Sequence, residues 1–299
     1  MASTTHVVLV GADPGADDYA RRRLQELERR WSRFRPDSEV SRLNGSPEAL
    51  LVVSEDTVRL VATMLEAWRV TDGRYDPTLL AAIDGAGYTT SVDGSGRRSA
   101  GVPGTPRRRT PADVRVHPEA PLVAVPAGAG IDPGGIGKGL AADIVVTELL
   151  ERGAAGALVG VGGDVAAAGT PPTPDGWHVA VQHPLDRSRT LMTVTLEAGG
   201  VATSSTQTRT WATEGEVRHH VIDPATGECA TTDLAAVTVF ARAGWEAEAH
   251  ATAALLVGSR GALGYLERHD LDGIVTTLGG TTTSTPALHR AGETEWSAA

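Results

Sequence analysis

The feature that most constrains this chain is a glycine-rich stretch that leads into a helix-like segment, Ile131-Asp132-Pro133-Gly134-Gly135-Ile136-Gly137-Lys138-Gly139-Leu140-Ala141-Ala142-Asp143. Its four glycines within six residues remove side chains, so main-chain N–H groups can closely approach a ligand. The helix that follows presents the positive end of its dipole. Lys138 adds a mobile cation, and Asp132 adds a carboxylate for a metal ion or a ribose hydroxyl. The stretch indicates a pocket for a phosphorylated ligand. A plain glycine turn with a surface lysine is the alternative.

Two known phosphate-binding patterns fit this stretch incompletely. A Walker loop requires Ser or Thr after the lysine, whereas Gly139 follows Lys138, and the required upstream glycine is absent. Residues 137–142 match G-x-G-x-x-A, but that short pattern is weak on its own, and the lysine lies where a diphosphate would pass. Spacing alone leaves the ligand-binding and the structural interpretations open.

Composition argues against several classes of protein. The 299 residues carry a formal net charge of -10, with a pI near 5.4, which argues against nucleic-acid and anionic-membrane partners. Cys229 is the only cysteine, so an internal disulfide and a zinc cysteine cluster are excluded. The apolar run at 7–10 is too short for a signal peptide or a membrane span. We therefore expect a cytoplasmic protein without a membrane anchor.

Hydrophobic periodicity and capping residues predict several helices. Apolar residues at three- and four-residue steps predict a first helix, with the stripe Leu24, Leu27, Trp31 and Phe34. Pro36 is expected to end that helix, and the polar stretch 37–45 is expected to be turn-prone, with its Ser, Arg and Asn residues in capping and turn roles. Ser54 is expected to cap a second helix and Ser259 a last one.

Strands and helices are interspersed without strict alternation. This pattern favours a mixed α+β (mixed α/β) domain over a doubly wound sheet. Apolar and polar residues alternate along segments 177–182 and 191–196, which predicts two strands of an antiparallel pair. We predict one domain across 1–299, with a flexible Gly-, Ser-, Pro- and Arg-rich insertion at 89–119 and a frayed tail from about residue 279.

Two further groups of side chains are candidates for chemistry. His220 ends a strand three residues before Asp223, and an imidazole can act as a base near neutral pH. An imidazole satisfied by a main-chain carbonyl is the structural alternative. Glu248 and Thr252 lie four residues apart and share one helix face, where their oxygens suit Mg²⁺. The structural alternative for this pair is a solvent-exposed helix face without a metal ion.

Seven stretches, in chain order, resemble the motifs of the FAD:protein FMN transferases, the ApbE-like flavin transferase family. The matching stretches are 32–44 (S-R-F to S-R-L-N), 73–78 (G-x-[FY]-D-P-T), 132–143 (D-L-G-G-I-A-K-G-x-A-x-D), 161–164 (A-G-G-D), 202–204 (A-T-S), 220–227 (H-I-I-D-P-x-T-G) and 247–253 (A-D-A-x-A-T-A). The resemblance spans nearly the whole chain. It implies an ApbE-like fold with mixed, largely antiparallel sheets flanked by helices.

The resemblance implies Mg²⁺-dependent cleavage of FAD, with FMN attached through a phosphoester to a Ser or Thr hydroxyl of an acceptor flavoprotein and AMP released. Lys138 and the metal would neutralise the diphosphate, and His220 would be the base for the acceptor hydroxyl. The implied metal ligands are the main-chain carbonyl of Gly135 and the side chains of Glu248 and Thr252. The implied FAD contacts are Asp132, Gly134, Gly135, Lys138, Gly87, Tyr88, Ser204 and Ile222.

Several positions depart from the family pattern. Glu248 stands where the family has a metal-binding aspartate, and Mg²⁺ demands near-ideal octahedral distances. Gly137 replaces an alanine, Ser205 replaces a glycine, and the family's N-terminal M-G-T is missing. Two other functions therefore remain as alternatives. One is an FAD pyrophosphatase with water as acceptor, and the other is a non-catalytic flavin-binding homologue.

Overall fold

The computed structural model describes residues 4–91, 99, 110–213 and 216–288. Within these ranges the helices are α1 Ala16–Trp31, α2 Glu39–Gly45, α3 Glu55–Val70, α4 Leu80–Gly85, α5 Gly137–Glu151, α6 Gly244–Val257 and α7 Ala262–Arg268, with short 3-10 helices at Pro111–Asp113 and Pro133–Gly135. The strands are β1 Thr5–Val10, β2 Leu51–Val52, β3 Arg115–Val116, β4 Leu122–Ala124, β5 Gly156–Val161, β6 Asp164–Gly169, β7 Trp177–Gln182, β8 Thr190–Leu196, β9 Gly199–Ser205, β10 Thr210–Thr213, β11 Glu216–His219, β12 Ile222–Asp223, β13 Glu228–Cys229, β14 Leu234–Ala241, β15 Asp272–Thr277 and β16 Thr282–Ser284.

A seven-stranded sheet forms the centre of the fold. Its strand order is β1-β5-β6-β9-β14-β15-β16, and each neighbouring pair is antiparallel. β5 and most of β14 are apolar and buried throughout, because helices cover one sheet face and the β7–β8 hairpin covers the other. Trp177 of the hairpin is 1% exposed. The expected α+β class, antiparallel sheets and β7–β8 pair are confirmed.

α5 and α6 lie against each other on the sheet. A Cβ built on Gly139 of α5 would lie 2.2 Å from the carbonyl oxygen of Gly244, so only glycine allows this approach. The carboxylate of Asp143 accepts hydrogen bonds from the N–H groups of Gly244 (2.7 Å) and Trp245 (3.0 Å). A side chain of α5 therefore satisfies the free N–H groups at the start of α6 and fixes the two helices in register.

Helix α2 holds the glycine-rich loop through the side chain of Asn44. The Asn44 side chain, 2% exposed, donates to the Ile131 carbonyl (2.9 Å) and accepts from the Ile131 N–H (2.8 Å). The expected turns over 37–45 are replaced by helix α2, whereas the expected capping role is confirmed at Ser38. Ser38 caps α2 by accepting from the N–H of Ser41, and the polar residues serve tertiary contacts.

Two other predicted details differ in the structure. α1 ends at Trp31, so Phe34 lies beyond the helix rather than on its stripe. Ser54 caps α3 as expected, but Ser259 does not cap α7, whose N-cap is Gly261. Ser259 instead hydrogen bonds with the carboxylate of Asp233.

The predicted insertion and tail are described in part. The end of the insertion contains β3, which pairs with β4 and so belongs to a small sheet. β16 pairs with β15, and Thr285 is 1% exposed, so the sheet extends into the region where fraying was expected. Residues 92–98, 100–109 and 289–299 lie outside the described residues, and the single domain over 1–299 stays a prediction. No described helix has both the length and the apolar character needed to cross a bilayer.

Candidate active site

A cavity of about 400 Å³ lies beside the glycine-rich loop, a volume typical of small-molecule sites. Its lining comes from that loop, the β5–β6 turn, β9, the segment before β12, and α6. A more open groove of about 830 Å³ adjoins it at Arg74, Asp76 and Leu79. The smaller cavity is the candidate site because it contains a cluster of buried charges.

The structure places ten of the eleven predicted site residues around this cavity. They are Asp132, Gly134, Gly135, Lys138, Tyr88, Ser204, His220, Ile222, Glu248 and Thr252. Gly87 does not line the cavity; it lies in the turn after α4 with φ 103°. The sequence motifs thus converge in space, and the role of each residue stays a prediction.

Lys138 lies between two buried carboxylates. Its ammonium is 2.6 Å from Asp164 Oδ2 and pairs with Glu248 Oε1, and these acids are 2% and 3% exposed. The N–H of Gly139 donates to Glu248 Oε2 (2.8 Å), and the N–H of Thr203 donates to Asp164 Oδ1 (3.2 Å). Lys138 is the only lysine among the 27 lysine and arginine residues of the chain. A compact ammonium can contact both acids where a planar guanidinium would need more room.

Burial and charge work against each other in this cluster. Burial by itself lowers the pKa of Lys138, but the charges of Asp164 and Glu248 outweigh it, and the net shift of the Lys138 pKa is upward. Burial raises the pKa of Glu248, and the Asp164 charge raises it further, while Lys138 opposes both. Lys138 therefore stays protonated between the two acids. The two carboxylates together can accommodate a second positive charge beside that of Lys138.

The loop preceding α5 is fixed by its own side chain and by Arg33. Asp132 Oδ1 accepts from the N–H of Gly134 (3.1 Å) and lies 3.5 Å from Arg33 Nε. Arg33 is 4% exposed and also pairs with Asp84 (2.8 Å). A Cβ on Gly135 would lie 2.9 Å from the Tyr75 ring, so a side chain there would force a shift.

Several oxygens of the kind Mg²⁺ prefers meet at this side of the cavity. Thr252 Oγ1 lies 2.8 Å from Ser204 Oγ and 3.3 Å from the Glu248 carbonyl oxygen. The Gly135 Cβ position is 3.9 Å from Thr252 Oγ1, which places the loop against this face of α6. In the described part of the chain, no three His, Cys, Asp or Glu side chains group as a metal site. The predicted donor set fits Mg²⁺ in chemical type, although Lys138 and Gly139 hold both Glu248 oxygens.

His220 presents one ring nitrogen without a partner. Nδ1 is buried and has no hydrogen bond among the described residues, and the main chain of Thr208 acts on the ring in the direction that raises its pKa. Burial, with smaller contributions from the cations Arg209 and Lys138, lowers the pKa of His220 to about 3. The imidazole is therefore neutral at pH 7, and Nδ1 can accept a proton in the tautomer that carries its hydrogen on Nε2.

The rings of Phe34 and Tyr88 line another part of the cavity wall, and Trp211 supports Tyr88 without lining the cavity itself. Tyr88 stacks on Trp211 with centroids 5.4 Å apart and an interplanar angle of 17°, and Phe34 meets Tyr88 edge-on at 5.6 Å. The Arg33 guanidinium lies over the Tyr88 ring at 4.8 Å. Trp211 Nε1 donates to the Ala86 carbonyl (2.8 Å), which ties the β10–β11 hairpin to the turn after α4. A rigid aromatic surface beside buried charges suits a ligand with a planar ring and phosphates.

A family model described as the ApbE family matches residues 1–275. The chain belongs to the ApbE family. A relative named FAD:protein FMN transferase from Salmonella typhimurium is 28% identical over 80% of this chain and 70% of its own length. A relative of the same name from Treponema pallidum is 30% identical over 79% of this chain and 69% of its own length. Another from Escherichia coli is 31% identical over only 47% of this chain and 40% of its own length.

Solved structures show the same fold as this ApbE-family chain. A crystal structure of an ApbE protein from Thermotoga maritima aligns with a TM-score of 0.81 at 24% identity, over 95% of this chain and 93% of that one. The flavinyl transferase ApbE of Pseudomonas stutzeri aligns with a TM-score of 0.77 at 22% identity, over 96% of each chain. The ApbE-like fold expected from the sequence motifs is confirmed.

The cavity residues of this ApbE-family chain that were not among the predicted site residues include Asp164, Arg33, Tyr75 and Arg209. Asp164 and Arg33 stand inside motifs already noted, in the Gly-Gly-Asp turn and the S-R-F segment, so a signal for them was present. Tyr75 also lies in the G-x-[FY]-D-P-T stretch. Arg209 lies outside all seven stretches, and only the tertiary structure brings it to the cavity.

Proposed function

We propose that this ApbE-family chain is an FAD:protein FMN transferase. It would cleave the diphosphate of FAD, attach FMN through a phosphoester to a Ser or Thr hydroxyl of an acceptor flavoprotein, and release AMP. The observation that carries the proposal is the position of Lys138, the only lysine of the chain. It lies buried between two acids at the wall of a cavity that combines a bare-backbone loop with an aromatic surface. The names of the curated relatives support the same activity.

Lys138 and the glycine-rich loop would bind the diphosphate. Negative charge on the phosphate oxygens opposes attack by an incoming hydroxyl, and a fixed cation offsets that charge as the transition state forms. Glycines at 134 and 135 carry no side chain that would cover the main-chain N–H groups, and the missing side chain at Gly135 also makes room for the Tyr75 ring. The pairs Asp132–Arg33 and Asn44–Ile131 hold the loop in place, which lowers the cost of ordering it around a ligand.

His220 would take the proton of the acceptor hydroxyl. The acceptor oxygen forms a bond to the FMN phosphorus, the proton moves to His220 Nδ1, and the bond from that phosphorus to the AMP oxygen breaks with its electron pair leaving on AMP. Arg209 and Lys138 depress the pKa of His220 in the ligand-free protein. An anionic ligand at these cations offsets their charge, so binding of FAD raises the basicity of His220.

Magnesium would be held by the side chains of Glu248 and Thr252 and by the main-chain carbonyl of Gly135. When bound, it would supply further charge neutralisation at the diphosphate. The Glu248 carboxylate is shared with Lys138 in the structure, so the metal and the ammonium compete for one acid. Glu248→Asp restores the shorter side chain of the family pattern, and its effect on the magnesium concentration needed for half-maximal transfer measures how the extra methylene is accommodated.

The decisive experiment incubates the purified protein with FAD and MgCl₂, with and without a candidate acceptor flavoprotein that carries no flavin. Mass spectrometry of the acceptor detects covalent FMN, and chromatography quantifies AMP. We expect an adduct and an equal amount of AMP from the wild-type chain. A parallel reaction with EDTA tests the metal requirement.

Variants of Lys138 connect this outcome to the cavity. Lys138→Met and Lys138→Arg should each abolish the adduct, whereas Arg69→Met, which removes an exposed arginine of α3, should leave it unchanged. Fast AMP release without an adduct would instead indicate the pyrophosphatase. FAD binding with neither product would indicate a non-catalytic flavin-binding homologue.

A further inference from the structure

We propose that Arg209 is a phosphate-binding residue of the cavity and contacts the diphosphate of the bound dinucleotide. This inference rests on the proposed function and adds a cationic contact that none of the seven motifs contains. The side chain is half-buried and lines the cavity. It enters from the segment between β9 and β10, whereas Lys138 enters from α5.

Arg209 has no ionic partner in the described part of the chain. The other half-buried or buried arginines near the site are engaged: Arg33 pairs with Asp84 and Asp132, and Arg74 lies 3.8 Å from an Asp72 carboxylate oxygen. The guanidinium of Arg209 makes no ion pair or hydrogen bond with a described residue. A guanidinium presents up to five N–H donors in a planar fork, which matches two phosphate oxygens at once.

The main chain at Arg209 adopts a conformation that disfavours an arginine. Its φ is 51°, in the left-handed region where glycine and asparagine are preferred. Within the described ranges, four non-glycine residues have positive φ, and Arg209 is the one among them that lines the cavity. Such backbone strain is unfavourable and concentrates at ligand-binding sites. Glycine at this position would relieve the strain, but it would bring no guanidinium to the cavity.

Neighbouring hydroxyls prevent this segment from relaxing. Ser205 Oγ donates to the Ala235 carbonyl (2.8 Å), and Thr206 Oγ1 donates to the Leu234 carbonyl (3.0 Å), so the chain is attached to β14 just before Arg209. Thr208, the residue immediately before Arg209, lines the same cavity as His220. The fixed segment therefore presents the guanidinium to the cavity that contains the proposed base.

The charge of Arg209 acts at the same place as that of Lys138. Arg209 lowers the pKa of His220 and also opposes the upward shift of the Lys138 pKa, so the three groups share one electrostatic environment. Lys138 already has Asp164 and Glu248 as partners, whereas Arg209 has no carboxylate partner among the described residues. A diphosphate offers at least two negative oxygens, and one of the two phosphates would contact Arg209.

Calorimetric titration with FAD, FMN, AMP and riboflavin tests the contact at a fixed MgCl₂ concentration. Arg209→Met should weaken FAD binding about 10–100-fold, as expected for loss of a charge-assisted hydrogen-bonded pair. Arg209→Lys should recover part of the affinity. Binding of riboflavin, which has no phosphate, should not change. Whichever of FMN and AMP loses affinity identifies the phosphate that Arg209 contacts.

Arg218→Met is the matched control, because Arg218 lies on the adjacent strand β11, opposite Trp211, and does not line the cavity. It should bind FAD like the wild type. Equal FAD affinity in Arg209→Met and the wild-type chain would overturn this inference and leave the proposed function intact. Absence of FAD binding by the wild-type chain would overturn both.

A second measurement uses the strain itself. Arg209→Gly should raise the melting temperature of the ligand-free protein by about 1–3 °C while lowering its FAD affinity, because it relieves the left-handed backbone and removes the cation. Opposite signs for stability and binding are not expected of a structural arginine. A fall in melting temperature together with unchanged FAD affinity would show that Arg209 serves the fold, and would end the proposal.

Discussion

Two groups of polar and charged residues in this ApbE-family chain differ in how completely their members are paired by hydrogen bonds and ion pairs. The helix ion network joins α1, α3 and α5, and the cavity cluster lies between α5, α6 and the β5–β6 turn. The helix ion network comprises Tyr19, Arg23, Glu26, Arg30, Asp56 and Glu148. The cavity cluster comprises Lys138, Asp164, Glu248, His220, Tyr75 and Arg209.

Each charge of the helix ion network meets an opposite charge. Arg23 contacts Asp56 at 2.6 Å and Glu148 at 3.0 Å, and the Tyr19 hydroxyl donates to Glu148 (2.9 Å). In the cavity cluster, by contrast, Nδ1 of His220 and the hydroxyl of Tyr75 are buried without a hydrogen bond among the described residues. The comparison separates charges that join helices from polar groups that remain available for a ligand.

Lys138→Met tests the cavity cluster with the largest expected effect. Removing the ammonium should weaken FAD binding at least about 100-fold, because the lost contact is a buried cation facing a diphosphate. The variant also leaves Asp164 and Glu248 without their shared cation, so its melting temperature should be measured beside the titration. FAD affinity within threefold of the wild type in a folded variant would contradict the assignment.

Arg23→Met tests the helix ion network and should show the reverse pattern. The side chains of Arg23 and Asp56 are each 14% exposed, so the network is only partly screened by water. We expect urea denaturation to show a loss of about 2–3 kcal/mol in the free energy of unfolding, between the values for exposed and fully buried pairs. FAD affinity should stay unchanged, and a parallel loss of binding would remove the distinction between the two groups.

The sequence pointed to residues that meet at the cavity where these lie inside the short family motifs. Spacing alone made the glycine-rich loop with Lys138 and the Glu248–Thr252 pair candidates but left a structural alternative open for each, and the resemblance to the family favoured the ligand-binding interpretation. α2 was missed because its polar residues owe their burial to distant partners, as Asn44 does to Ile131. Arg209 was missed because its role depends on a strained turn attached to β14 by hydroxyl groups, and no local pattern encodes that contact.

The pH dependence of stability offers a smaller test of the same comparison. Burial lowers the pKa of His220 to about 3, below its ordinary value of 6.5. Protonation therefore favours the unfolded chain, so the contribution of neutral His220 is fully present above pH 6.5 and is lost as the pH falls toward 3. His220→Gln cannot titrate, and its melting temperature should fall less between pH 7 and pH 5 than that of the wild type.

The comparison isolates His220 because both proteins keep His219 and His250, whose pKa values are also lowered by burial. Each protein is compared with itself at two pH values, which removes any change in packing caused by the glutamine. Equal losses of melting temperature in the two proteins would show that His220 does not contribute to the acid sensitivity of the fold.

The smallest effect is expected from the Tyr75 hydroxyl. Burial raises the pKa of Tyr75 well above its ordinary value, with the charges of Glu248, Asp132 and Asp76 adding to the shift, so the hydroxyl keeps its proton. A buried donor without a partner costs about 1–3 kcal/mol. Tyr75→Phe removes that cost and leaves the ring, so the ligand-free protein should become about 1 kcal/mol more stable in chemical denaturation.

Tyr265→Phe is the matched control, because the Tyr265 hydroxyl is satisfied by Nδ1 of His250 at 2.7 Å. Removing that hydroxyl leaves the imidazole nitrogen without a partner, so this variant should lose about 1 kcal/mol. The same chemical change then has opposite signs at two buried tyrosines, one in the cavity cluster and one outside it. If both variants lost stability equally, the Tyr75 hydroxyl would have a partner in the ligand-free protein. The contrast between satisfied and available polar groups would then rest on His220 and Arg209 alone.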